Sequence, residues 1–144
     1  MLIAGGCHCG NISFVLDWEG APASIPARAC TCTFCRKHGG VWTSNPLSAL
    51  RVTVRQPNDV VNYAFGTRTA DFHLCSRCGV VPVVTSRIAG RLYAVVSVNA
   101  FEGVDRALLQ PAAATTFDVE TEPMRLARRT RNWIGNVEFS VAAG

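Results

Sequence analysis

Seven cysteines lie in three short clusters, and their spacing is the feature of this sequence best suited to chemistry. The first cluster is C-x-C, the second is C-x-C-x-x-C and the third is C-x-x-C. Their members are Cys7 and Cys9, then Cys30, Cys32 and Cys35, then Cys75 and Cys78. An odd number of cysteines cannot be fully paired in disulfides within one chain. We therefore predict that these thiols bind metal.

The expected compartment supports the same interpretation. The N-terminal residues lack a basic segment followed by a long apolar one, so we expect no signal peptide. No apolar segment approaches the roughly 18 residues that a membrane helix needs. We therefore expect a cytoplasmic protein without membrane contacts. Thiols stay reduced in the cytoplasm, where clustered cysteines are commonly metal-binding or catalytic.

The number of cysteines predicts how they divide between metal ions. Structural zinc sites take four protein ligands, whereas catalytic sites take three and keep one position open. Seven ligands therefore divide most simply into one closed and one open site, with two zinc ions per chain. The closed site would contain Cys7, Cys9, Cys75 and Cys78, and the open site Cys30, Cys32 and Cys35.

Two other arrangements of the cysteines are compatible with the sequence. Four cysteines also suit an iron–sulfur cluster. Alternatively, all seven cysteines form a purely structural array, with His38 or a water molecule as the eighth ligand, because closed sites commonly take three cysteines and one histidine.

The periodicity of the sequence predicts a β fold. The chain has 144 residues, of which 49% are hydrophobic, and we expect one domain over residues 1–144. Alternating apolar and polar residues predict strands over 11–16, 51–55, 60–63, 69–74, 80–86 and 91–98. Residues 89–90 are predicted to form the hairpin turn between the last two strands. Weaker patterns predict helical segments over 104–109 and 123–130. The expected fold is mainly β with short helices.

Three motifs carry a resemblance to a known family. They are GCHCGNI over residues 6–12, CTCTFCRKHGG over 30–40 and CSRCGVVP over 75–82. In order and spacing they resemble the glutathione-dependent formaldehyde-activating enzyme family, which also includes centromere protein V. The resemblance implies a zinc-stabilised β-tent fold of stacked antiparallel sheets. It also implies a structural zinc in the closed site and a second zinc in the open site, near a glutathione site.

The resemblance also implies an activity and its site residues. The expected enzyme is a carbon–sulfur lyase that forms or cleaves an adduct of glutathione, or another small thiol, with formaldehyde or a related aldehyde. Catalysis would take place at the open site of Cys30, Cys32 and Cys35. Glutathione carries two carboxylates, so its site needs cations. Arg36 and Lys37 directly follow the third ligand and are the predicted substrate-binding residues. His38 is the predicted proton carrier.

The competing hypothesis is a non-catalytic zinc module that binds a protein or nucleic acid. Its support is the centromere protein in the family that the sequence resembles, together with a basic and aromatic cluster near the C-terminus. The cluster has arginines at positions 125, 128, 129 and 131, and Trp133. The formal net charge of +4 falls close to neutrality once seven thiolates and two zinc ions are counted, which does not favour nucleic acid. We expect these arginines to lie on a solvated helix. Alternatively, the helix covers the pocket of a neighbouring subunit in a homo-oligomer.

Overall fold

Twelve strands form two sheets within residues 1–142, the part of the chain that the computed structural model describes. The strands are β1 (Leu2–Gly6), β2 (Ile12–Asp17), β3 (Arg28–Cys30), β4 (Val41–Thr43), β5 (Ala49–Val54), β6 (Val60–Tyr63), β7 (Asp71–Cys75), β8 (Val83–Ile88), β9 (Arg91–Ser97), β10 (Phe101–Glu102), β11 (Ala113–Thr115) and β12 (Asn136–Val141). The α-helices are α1 (Thr33–His38) and α2 (Glu122–Asn132). Single 3₁₀ turns lie at Pro57–Asp59, Val98–Ala100 and Arg106–Leu108.

The two sheets differ in size and are largely antiparallel. Five strands pair in the order β10-β1-β2-β5-β12, and seven pair in the order β11-β3-β4-β9-β8-β7-β6. Each sheet carries one parallel edge strand, because β12 runs parallel to β5 and β11 runs parallel to β3. The prediction of a mainly β fold with short helices is confirmed, and the sheets number two.

Most of the predicted segments are present, with shifted ends. The predicted strand over 80–86 begins only at Val83, because Pro82 has no N–H to donate to a ladder. Residues 89–90 form the predicted turn, and both have positive φ angles. The helix predicted over 123–130 is α2, and the segment predicted over 104–109 is one 3₁₀ turn. No helix in the described residues is long and apolar enough to cross a membrane.

Several strands carried no recognisable pattern. β3, β4 and β11 have three residues each, which is too few for an alternation to be visible. β1 contains two glycines, which are depleted in strands. Gly5 is nevertheless required there, because a side chain at this position would collide with the ring of Phe14. Close packing between β1 and β2 therefore explains a residue that weakened the prediction.

The hairpin of β8 and β9 is packed on both faces. Successive side chains of a strand point to opposite faces of the sheet. Val83 and Val96 belong to a cluster shared with the five-stranded sheet. Their neighbours Val84 and Val95 belong to a second cluster, with Cys35 from α1, Trp42 from β4 and Trp133 after α2. The seven-stranded sheet therefore lies between the smaller sheet and a layer formed by the two helices and their adjoining segments.

Hydrogen bonds fix both ends of α2. At its start the Thr121 hydroxyl accepts a hydrogen bond from the Met124 N–H at 3.3 Å, as in an N-cap. After its end, Ile134 and Ala94 of β9 exchange two backbone hydrogen bonds of 2.9 and 3.0 Å. The Ser44 hydroxyl also donates to the carbonyl of Asn132 at 2.8 Å. These contacts hold α2 against the seven-stranded sheet.

The packing of β2 gives a test of the sheet register. Leu16 is 0% exposed in the first cluster, whereas its neighbour Val15 is 42% exposed on the other face of the strand. We expect Leu16→Ala to lower the free energy of unfolding by about 2–5 kcal/mol, since it removes core contacts and leaves a cavity. Val15→Ala should change it by about 0.5 kcal/mol or less. Urea unfolding measures both, and similar losses would contradict the register.

Candidate active site

Four cysteine sulfurs from two distant segments lie within 4.8 Å of one another, and we call them the four-cysteine group. Its members are Cys7, Cys9, Cys75 and Cys78. Cys9 Sγ is 3.8 Å from Cys7 Sγ and 3.5 Å from Cys75 Sγ. In a tetrahedral zinc site with Zn–S bonds of about 2.3 Å, the sulfurs lie about 3.8 Å apart. The donor set therefore fits a closed site of four thiolates.

Two tight turns bring these sulfurs together. After β1, the Cys7 N–H donates to the Ile12 carbonyl at 2.8 Å, and the Ile12 N–H donates to Cys7 Sγ at 3.2 Å. After β7, the Cys75 N–H donates to the Val80 carbonyl at 3.0 Å. Gly79 in this second turn has a φ of 81°, which residues with a side chain rarely adopt. The backbone therefore aims both cysteine pairs at a common point.

The remaining cysteines, Cys30, Cys32 and Cys35, form the three-cysteine group, and their sulfurs also lie within 4.8 Å of one another. Cys30 ends β3, and the next N–H donates to the Thr115 carbonyl of β11 at 3.0 Å. Cys32 caps α1, because its Sγ accepts a hydrogen bond from the Cys35 N–H at 3.4 Å. Three thiolates leave one position of a tetrahedral ion open. The sulfurs are grouped as the sequence predicted, four and three.

The thiols within each group share protons unevenly. A hydrogen bond from Cys35 outweighs burial and lowers the pKa of Cys30 to about 6. The same hydrogen bond, together with burial, raises the pKa of Cys35. Burial raises the pKa of Cys7 to about 12. Burial also acts to raise the pKa of Cys78, but hydrogen bonds, the largest from the backbone of Cys9, lower it to about 6. Each group thus holds a thiolate at neutral pH, the form that binds cations.

A cavity of about 130 Å³ lies against the three-cysteine group, and all three of its cysteines contribute to the lining. The other walls are mainly aromatic and cationic. The aromatic residues are Trp42, Phe65, Phe72, Phe117 and Trp133, and the cationic residues are Arg28, Arg125, Arg128 and Arg129. Apolar walls exclude water and strengthen the field of the nearby cations. The cavity therefore favours a small ligand that carries negative charge.

Three of the four cavity arginines come from α2, which buries a basic face. Arg125, Arg128 and Arg129 are spaced three and four residues apart, so they lie on one side of the helix. Trp133, just after the helix, lies on the same side, and all four residues line the cavity. The expectation that these arginines lie on a solvated helix is therefore wrong for these three. Only Arg131 of the predicted cluster is exposed.

Carboxylates neutralise part of this charge, since Asp118 lines the cavity and Glu120 pairs with two of its arginines. Glu120 accepts two hydrogen bonds from Arg128, at 2.8 and 3.0 Å, and lies 3.7 Å from Nε of Arg125. The Arg128 guanidinium also stacks on Phe117 at 3.6 Å from the ring centre. Arg28, on β3, donates to the Ser44 hydroxyl at 2.9 Å and has no carboxylate partner among the described residues. The cavity thus retains positive charge.

Arg129 is the most enclosed of these arginines, with 7% of its surface exposed. Its Nη1 donates to the hydroxyls of Thr69 and Ser86 at 2.8 and 3.1 Å. Its Nε is buried without a hydrogen-bond partner, and no described carboxylate pairs with it. Burial, with repulsion from Arg128 and Arg125, lowers the pKa of Arg129 to about 10. It remains a cation at neutral pH.

The predicted substrate-binding residues lie elsewhere. Arg36, Lys37 and His38 are exposed on α1 and do not contribute to the cavity lining. The His38 ring stacks on Phe34 with 5.3 Å between ring centres. They directly follow Cys35 in the sequence, but the turn of α1 directs Cys35 inward and the following residues outward. Their role in substrate binding remains a prediction.

Comparison with known proteins identifies the family. A family model described as glutathione-dependent formaldehyde-activating enzyme matches residues 2–118. The chain belongs to this family. A solved structure of a Rhodobacter sphaeroides protein, a structural-genomics target, is 35% identical in sequence, with a TM-score of 0.60. That similarity covers 78% of this chain and 99% of the other.

The family model matches only some of the residues that line the cavity. The matched residues contain both cysteine groups and the aromatic residues up to Phe117. They do not include α2 or β12, and therefore omit three cavity arginines and Trp133. A sequence signal for these residues existed, because arginines at positions i, i+3 and i+4 share one helix face. Sequence alone did not show that this face is buried.

The contacts of Arg129 give a test by substitution at Ser86. This serine is 2% exposed, accepts from Arg129, and donates to the Thr69 carbonyl at 2.6 Å. We expect Ser86→Ala to lower the free energy of unfolding by about 1–3 kcal/mol, because it leaves buried polar groups without partners. Ser140→Ala, at an exposed position of β12 whose hydroxyl makes only a long hydrogen bond of 3.4 Å, is the control and should cost about 0.5 kcal/mol or less. Equal effects in thermal unfolding would contradict this network.

Proposed function

We propose that this chain is a zinc enzyme that forms or cleaves the carbon–sulfur bond between glutathione, or another small thiol, and formaldehyde or a related aldehyde. One observation carries the proposal: three cysteine sulfurs, a number that leaves a metal position open, line a cavity with aromatic and cationic walls. Membership of the family supports glutathione and formaldehyde as the first substrates to test. The sequence-based expectation of a cytoplasmic protein is kept as part of the proposal.

The two cysteine groups would have different tasks. The four-cysteine group would hold a structural zinc ion, because it can fill all four positions of a tetrahedral site. Cys30, Cys32 and Cys35 would hold the catalytic ion. A zinc ion in this open site would keep a substrate thiol in its thiolate form, which is the nucleophile.

The reaction needs no oxidant or reductant. In the direction of adduct formation, the thiol sulfur bonds to the aldehyde carbon, the carbonyl π electrons move to the oxygen, and the thiol proton ends on that oxygen. The arginines of the cavity would stabilise the negative charge that develops on the oxygen. The walls formed by Trp42 and Phe72 would keep water away from the reacting atoms. Cleavage is the reverse of these steps.

The cavity arginines would supply the positive charge for an anionic substrate, so the exposed residues predicted from the sequence are not needed for it. The cavity arginines lie on β3 and α2, whereas Arg36, Lys37 and His38 lie on the exposed side of α1. We therefore base the proposal on the cavity arginines. The competing hypothesis of a nucleic-acid or protein-binding module loses the support that came from exposed arginines, because three of the four line the cavity. No observation favours it over the enzyme.

Metal content tests the assignment of two sites. We expect mass spectrometry to find two zinc ions and no iron per chain in the wild type. Each of the variants Cys9→Ser and Cys32→Ser should hold about one zinc ion per chain. Cys9→Ser should lower the melting temperature more, because its group joins Cys9 to a partner 66 residues away, whereas the other group is local. Iron in the wild type, or two zinc ions in Cys32→Ser, would refute the assignment.

Activity tests the assignment of the open site. The rate of adduct formation from glutathione and formaldehyde is measured after subtraction of the uncatalysed reaction. We expect Cys32→Ser to reduce the rate to the uncatalysed background, because a thiolate ligand is lost, while circular dichroism shows a folded chain. Thr33→Ser, an exposed change on the same helix, should retain the wild-type rate. An active Cys32→Ser variant would exclude catalysis at this group.

A further inference from the structure

We infer that Arg129 is the anchor for a carboxylate group of the substrate, so that the cavity selects carboxylate-bearing reactants. The inference rests on the proposed function, in which this cavity is the substrate site, and it specifies the chemical class of that substrate. The carboxylate has two chemical sources, the thiol and the aldehyde. Glutathione supplies it in the first case, and an oxo acid such as glyoxylate supplies it in the second.

Arg129 has unused hydrogen-bonding capacity. A guanidinium has five N–H donors in a planar fork. Nη1 of Arg129 donates to two hydroxyls, whereas the Nε–H is buried and has no partner. The residue is 7% exposed and lines the cavity, so water cannot solvate it fully. A buried cation ordinarily has an anionic partner.

The described residues do not supply that partner. Glu120 is already bonded to Arg128 and lies next to Arg125. Asp118 lines the cavity but is exposed and forms no ion pair with Arg129. Thr69 and Ser86, the two acceptors of Arg129, are neutral. The Arg129 guanidinium also lies 4.9 Å from the centre of the Trp133 ring, which carries no charge. An anion that enters the cavity would therefore supply the missing counter-charge.

The size and walls of the cavity favour a carboxylate on a small group. A dry cavity of about 150 Å³ in a protein core is known to hold a benzene molecule. By this comparison, the present cavity, which is open to solvent on one side, has room for roughly six heavy atoms in its volume of about 130 Å³. This is enough for a carboxylate and the few atoms between it and a reacting sulfur. Arginine binds carboxylates through two parallel hydrogen bonds, which also fixes their orientation.

Arg129 lies outside the residues that match the family model. The family model ends at residue 118, whereas α2 begins at Glu122. The segment beyond the family match therefore supplies the anchor, and two hydrogen bonds between Ile134 and Ala94 hold that segment in place. A carboxylate requirement set by Arg129 would restrict the substrates that a more open cavity accepts.

Ligands with and without a free carboxylate test the inference on the wild-type protein. Binding is measured by calorimetry and by quenching of tryptophan fluorescence, since Trp42 and Trp133 line the cavity. Glutathione is compared with its diethyl ester. In a second series, glyoxylate is compared with formaldehyde as the reactant of an uncharged thiol, 2-mercaptoethanol. We expect a preference of about 10- to 100-fold for the carboxylate in one series, which identifies its source. No preference in either series overturns the inference.

Substitution of Arg129 shows whether that preference depends on this residue. Arg129→Gln should weaken binding of the carboxylate ligand by about 10- to 100-fold and leave binding of the uncharged ligand unchanged, so the preference disappears. A purely structural role would weaken both ligands equally and would overturn the inference. Arg129→Lys, which retains the charge but not the planar fork, should keep part of the preference. Arg131→Gln, an exposed arginine on the same helix, is the control and should keep all of it.

The outcomes separate this inference from the proposed function. If Arg129→Gln fails to fold, the ligand series on the wild type and Arg129→Lys still decide the question. A carboxylate preference that depends on Arg129, without any acceleration of adduct formation, supports the anchor and refutes the enzyme. Acceleration that is equal for charged and uncharged reactants supports the enzyme and refutes the anchor.

Discussion

The hairpin of β8 and β9 is apolar on both faces, and the rest of the structure depends on this constraint. Val83 and Val96 face the five-stranded sheet, while Val84 and Val95 face the cluster that contains Trp42. Each apolar face must be covered to exclude water. The smaller sheet covers one face, and α1, α2 and their adjoining segments cover the other. The cavity lies within this second cover, between the three-cysteine group and α2.

The two apolar clusters on either face of the hairpin also separate the two cysteine groups. Cys7 and Cys75 belong to the cluster shared by both sheets, whereas Cys35 belongs to the cluster next to the cavity. The four-cysteine group joins the turns after β1 and β7, which come from different sheets, so a metal there would link the two layers. The three-cysteine group is built by one short segment and borders the cavity. Position in the fold, as well as the number of cysteines, therefore distinguishes the two groups.

Helix α2 shows how a cavity changes the usual rule for amphipathic helices. A helix on a sheet normally buries its apolar side. Here Arg125, Arg128 and Arg129 face the protein, while Met124 is 54% exposed. Glu120, the Phe117 ring and two hydroxyls offset part of the cost of burying three guanidinium groups. The remaining positive charge is concentrated beside the cysteine thiolates, where an anionic substrate would be attracted.

The sequence by itself determined the metal-ligand candidates, their division into four and three, and the main strands. These signals are local: ligand spacing, an odd count of cysteines and alternating residues are visible without knowledge of neighbours. Only the tertiary structure decided that Arg36 and Lys37 lie outside the cavity and that Arg129 lies inside it. Helical periodicity shows which residues share a face, but the buried face depends on what the helix packs against. Strands of three residues, and the pairing of β12 with β5, likewise depend on partners distant in sequence.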